Sequence, residues 1–126
     1  MSDDLVAFLR ARLVEDEQYA RSTMWDGSVN SPTWSLTASA TVDTGGDEFY
    51  AGDRTVANHI ERHDPARVLR EVEAKRRILQ WHTGAHECSG PDDNCMWILD
   101  GEACPTTRAL ALPYADHEDY KEGWKL

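Results

Sequence analysis

The sequence predicts a helix-dominated α+β domain, and three observations carry that prediction. Apolar residues recur at helical spacing in two long stretches, Leu5, Phe8, Leu9, Leu13 and Val68, Leu69, Val72, Ile78, Leu79. Between Asp26 and Gly52 the texture changes to Thr, Trp, Val, Phe and Tyr punctuated by Gly and Pro. Beyond Trp81 the chain is rich in turn formers and holds its three cysteines. At 126 residues the expectation is a single domain spanning 1–126, with two principal helices, a small β-hairpin and a turn-rich C-terminal lobe stapled by zinc.

The first helix is expected over about Asp3 to Ser22. Ser2 can cap it, Asp3 and Asp4 suit the positive end of its dipole, and Val6 and Val14 widen the apolar stripe. Thr33 to Val42 and Glu48 to Tyr50 then read as two short strands, with Gly45-Gly46 a plausible hairpin connection. Apolar content there is thin, and the order of residues 26–52 is left open. A short helix follows from Arg54 to Arg62, with Val56, Ala57 and Ile60 on one side.

The clearest local signal is Asp64-Pro65, a capping carboxylate followed by proline where a missing amide hydrogen costs nothing. It opens a helix from Pro65 to about Gln80, with Arg67–Glu71 and Glu71–Lys75 paired four apart. After it, Thr83-Gly84 and Ser89 to Asn94 are turns, and Met96 to Leu99 is a candidate strand. Thr106 to Leu112 offers one or two helical turns ended by Pro113. Of Trp25, Trp34, Trp81, Trp97 and Trp124, most are expected in the core or as anchors of the tail, and one or two on an interface.

Charge narrows the function classes. The formal charge is −10, which keeps a chain soluble and disfavours direct nucleic-acid binding. The charge is uneven. Arg62 to Arg77 carries six basic residues against Asp64, Glu71 and Glu73, a local +3. From Asp92 onward, eight acids oppose Arg108, Lys121 and Lys125, a local −5. Either the acidic tail packs near the basic helix or the helix lines a basic ligand site. The opening Met1-Ser2-Asp3-Asp4 has no basic region before an apolar run, and no apolar run approaches membrane-spanning length. The expectation is a cytoplasmic protein without a membrane partner.

Two strings go further. His63-Asp64-Pro65-Ala66-Arg67-Val68-Leu69-Arg70-Glu71-Val72-Glu73-Ala74-Lys75-Arg76-Arg77-Ile78-Leu79 resembles the core of a family of small acidic actinobacterial and actinophage proteins, a domain of unknown function. Leu110-Ala111-Leu112-Pro113-Tyr114-Ala115-Asp116-His117, with Asp119-Tyr120 and Trp124, is similar to that family's ending. The resemblance implies origin and setting and carries over no catalytic residue.

Chemistry has two candidate seats. Thiolate and imidazole favour tetrahedral zinc, and His82, Cys88, Cys95 and Cys104 would complete a structural site. His82 ends a rigid helix, whereas His86 stands two residues from Cys88, where a short chain would strain a shared tetrahedron. The intervals are not those of known zinc knuckles. Three reduced cysteines buried singly, or one disulfide with a free thiol, are the competing readings. The second seat is His59 and His63, four apart, with Asp116 and His117, as in a small metal-dependent hydrolase. Glu61 is misplaced for a His-Glu-x-x-His pattern, and nucleophile-elbow, phosphate-loop and dinucleotide fingerprints are absent. The leading expectation is a non-enzymatic protein-interaction or regulatory module with a basic protein partner. The hydrolase is the alternative.

Overall fold

The computed structural model describes residues 2–89 and 95–126, apart from the side chains of Ser2 and Cys95. The order is α1 (Ser2–Ser22), β1 (Ser35–Ala38), β2 (Thr41–Asp43), β3 (Glu48–Tyr50), α2 (Arg54–Arg62), α3 (Pro65–Trp81), β4 (His86–Ser89), β5 (Cys95–Ile98) and α4 (Pro105–Ala111). Two 3-10 turns, Leu112–Tyr114 and Glu122–Trp124, close the chain. The class is α+β, as the sequence predicts. The expected turn between Ser89 and Cys95 lies outside the described residues.

The chain divides into two compact units, residues 15–73 and residues 1–14 with 74–126, so α1 and α3 each contribute to both. In residues 15–73 the predicted hairpin is a three-stranded antiparallel meander, β1-β2-β3. The stretch read as one strand, Thr33 to Val42, turns at Ser39-Ala40 into β1 and β2, and the ladder between these strands shifts register between Leu36 and Ala38. Leu36, Val42 and Phe49 form a cross-strand row, with Val42 wholly buried at its centre. Helix α2 packs on β1 and β2 and buries Ala57.

Capping explains why this unit needs so few apolar side chains. Asp53 accepts hydrogen bonds from the amides of Thr55 and Val56 and so starts α2. Asp64 is buried and starts α3, with Oδ1 accepting from the Arg67 amide at 2.9 Å. Its Oδ2 accepts from the Trp34 amide at 3.1 Å, and the Ala66 amide donates to the Pro32 carbonyl at 2.9 Å. One carboxylate thus caps a helix and pins the strand-leading loop to it. Gly45 occupies the left-handed region at φ +93°, and a Cβ there would lie 2.8 Å from the Ser31 side chain. Glycine is therefore required at that corner by both conformation and space.

In the other unit, Leu5, Val6, Phe8, Leu9, Leu79, Ala111 and Trp124 form one buried cluster. The tail is fixed by its aromatics: Trp124 lies 4.9 Å from the Phe8 ring, and Tyr114 and Tyr120 meet Phe8 edge-on. Lys121 pairs with Asp4 at 2.9 Å and holds that carboxyl below the usual range, first by the hydrogen bond and then by its charge. The expected contact of the tail with α3 is aromatic, with the Lys75 ammonium 5.7 Å from the Tyr114 ring. Pro113 does not stop the helical course after α4 but turns it into the 3-10 segment Leu112–Tyr114. Of the tryptophans, Trp124 is buried while Trp25, Trp81 and Trp97 are exposed, more than the one or two expected. Among the described residues no helix is long and apolar enough to cross a membrane.

Candidate metal centre

Three local decisions bring four ligands together. Helix α3 carries His82 just past its last residue, where the His82 amide still bonds to Ile78 and Leu79. Gly84, at φ +80°, then lets the chain reverse into β4. In a strand alternate side chains share a face, so His86 and Cys88 point inward while Glu87 and Ser89 are exposed. Finally, Cys104 is the N-cap of α4, which Pro105 opens at the first helical position. Cys88 and Cys104 are buried and not disulfide-bonded, and they form a small apolar cluster with Ile98.

The ligand atoms of His82, His86, Cys88 and Cys104 all lie within 4.8 Å of one another. His82 Nδ1 is 3.2 Å from His86 Nε2 and 3.7 Å from Cys104 Sγ. Around a tetrahedral zinc ion, bond lengths of about 2.0–2.3 Å give edges of about 3.3 Å between nitrogens and about 3.6 Å between nitrogen and sulfur. Those two separations match the corresponding edges, and the other ligand pairs lie within 4.8 Å. The cluster can hold a metal ion.

The surroundings suit ligation. His86 Nδ1 lies 2.7 Å from the Gly84 carbonyl, so an Nδ1–H donated there leaves the Nε2 lone pair facing the cluster. The Thr107 amide donates to Cys104 Sγ at 3.4 Å, and Thr106 Oγ1 lies 3.4 Å from Cys88 Sγ. Thr107 Oγ1 donates to the Cys104 carbonyl and fixes the cap. Burial, with His86 as a second cause, holds the His82 imidazole below its ordinary pKa, which favours the neutral, ligating form.

Of the four residues expected to bind zinc, His82, Cys88 and Cys104 converge here. The backbone of Cys95 pairs with Ser89 at the start of β5, and its side chain lies outside the described residues. His86, set aside on strain grounds, joins the cluster because β4 is extended and presents it on the same face as Cys88.

The residues of the second seat fall in both units, His59 and His63 in residues 15–73 and Asp116 and His117 in residues 74–126. The rings of His59 on α2 and His63 just beyond it lie 4.4 Å apart, tilted by 35°, and both are exposed, with His63 Nδ1 only 2.7 Å from the His59 carbonyl. His117 packs its ring against Phe8 and accepts the Asp119 amide on Nδ1, and Asp116 is exposed. Among the described residues, no group of three or more converging metal-capable ligands includes any of these four.

No curated protein and no solved structure matches the chain. A family of unknown function, DUF6221, matches residues 2–126, the whole chain but for its first residue. On that coverage, the chain belongs to this family of unknown function.

Proposed function

We propose that this chain is a non-enzymatic interaction module whose C-terminal lobe is stapled by a structural zinc ion on His82, His86, Cys88 and Cys104. The observation that carries the reading is the convergence of two imidazoles and two thiols within 4.8 Å on three separate elements. Two sulfur and two nitrogen donors favour zinc over magnesium, calcium or manganese. Four protein ligands close the coordination shell, whereas a catalytic zinc keeps one position for water or substrate. The staple would supply folding energy on the order of 10 kcal/mol to a lobe whose hairpin buries little else.

The interaction half of the reading rests on surface chemistry. Trp97 and Leu99, two apart in β5 and just beyond it, are about 60% exposed, and Glu87 stands opposite Trp97. An exposed aromatic beside acids, on a chain of net charge −10, suits a basic protein partner. Purification without chelator, followed by metal quantification and affinity capture, tests both halves. The reading expects one zinc per chain and captured basic proteins that Trp97→Ala and Glu87→Lys release. Metal-free folded protein would remove the staple, and capture indifferent to both substitutions would remove the interaction surface.

A further inference from the structure

A cleft lies on the helices of the same unit, and none of its lining residues is one of the four metal ligands. Arg10 and Val14 stand four apart on α1, and Arg76, Leu79, Gln80 and Thr83 follow one another at helical spacing along α3 and its end. Together they line a cleft of about 600 Å³. That volume falls within the range of about 300–1,000 Å³ typical of small-molecule sites.

The lining has an unusual sign. The chain holds 23 acidic and 13 basic residues, yet the described lining residues include two guanidinium groups and no carboxylate. Leu79 is buried and forms an apolar wall with Val14, and Gln80 brings an amide donor. A guanidinium presents a planar fork of N–H donors that fits carboxylate and phosphate oxygens, more strongly beside apolar walls than in open water. Arg10 is exposed and can turn into the cleft or away from it. Six residues thus combine positive charge, an amide and an apolar wall in a strongly negative molecule.

We propose that this cleft binds a small oxyanion, carboxylate or phosphate, carrying an apolar body: the head against Arg10 and Arg76, the body against Val14 and Leu79. The site gives Arg76 of α3 a ligand role apart from the helix dipole. It is independent of the zinc reading, because no lining residue is a metal ligand.

The test uses the full chain as purified, with octyl phosphate, octanoate, inorganic phosphate and octanol as probes, followed by calorimetry and amide chemical shifts. Octyl phosphate and octanoate are expected to bind one to one and shift the amides of residues 10–14 and 76–83. Inorganic phosphate and octanol, each offering half of the recognition, should bind at least tenfold more weakly. Arg10→Glu alters an exposed residue and should weaken octyl phosphate by roughly tenfold or more. Val14→Trp should block the body without removing either charge, and Arg21→Glu, outside the cleft, should change nothing. Octanol binding as tightly as octyl phosphate would overturn the proposal, and so would shifts confined to other residues. Unchanged affinity in both Arg10→Glu and Val14→Trp, or no binding at millimolar probe, would do the same.

Discussion

Residues 15–73 and the C-terminal lobe around β4, β5 and α4 reach order by different routes. The first is held by backbone and capping hydrogen bonds, with Asp53, Asp64 and Thr44 each closing a turn or helix start. Each such bond is worth little net, but an orphaned partner is costly. The second has two four-residue strands, an outer face with Trp97 exposed, and an inner face on which Cys88 and Ile98 are buried beside Cys104. A two-stranded hairpin is marginal by itself. On the proposed reading, the difference is why a metal would matter to one region and not to the other: the first satisfies its polar groups internally, whereas the second gathers sulfur and nitrogen donors around one point.

The largest break in this comparison should come from the metal. Chelation, or Cys104→Ser, removes coupled folding energy on the order of 10 kcal/mol. Hydrogen exchange should then show amides of β4, β5 and α4 losing protection first, while those of β1 to β3 keep theirs. Trp124→Ala should come next, at about 3–5 kcal/mol, because it empties the aromatic cluster around Phe8 without touching a ligand. Denaturant unfolding of the metal-loaded protein, with metal content unchanged, checks it.

A smaller effect is expected in the hydrogen-bonded unit. Asp64→Ala deletes the cap of α3 and orphans the Trp34 amide, for about 2 kcal/mol in all. Asp64→Asn, which keeps one acceptor, should recover part of that loss.

The smallest effect is the pH dependence of metal retention. Protons compete with the metal for its ligand atoms, and burial lowers the His82 pKa, which keeps that imidazole neutral to lower pH in the folded lobe. Metal content should therefore hold at neutral pH and fall only below about 6.5, as metal quantification against pH would read.

Much of this was legible in the residues. Asp64-Pro65 announces α3, and the apolar stripe from Leu5 to Leu13 announces α1, because capping and helical period act within a few residues. The split of Thr33–Val42 into β1 and β2 was hidden, since Ser39-Ala40 carries no strong turn signal and the break arises from pairing. Strand β4 was hidden for the same reason: His-Glu-Cys-Ser has no β-branched or aromatic residue and is extended only by its ladder with β5. That omission made His86 look too close to Cys88. In a coil the objection stands, but in a strand residues two apart share a face roughly 6.6 Å along, close enough for an imidazole and a thiol to meet. The cleft between Arg10 and Arg76 needed the fold, because α1 carries one charge and α3 the other.

Zinc X-ray absorption on three samples decides which side chains hold the metal: the unaltered chain, Cys95→Ser and His86→Ala. One zinc with two sulfur and two nitrogen neighbours is expected in the unaltered chain, the same shell in Cys95→Ser, and a lost or rearranged shell in His86→Ala. Three sulfur neighbours, with metal lost in Cys95→Ser and kept in His86→Ala, would contradict that expectation.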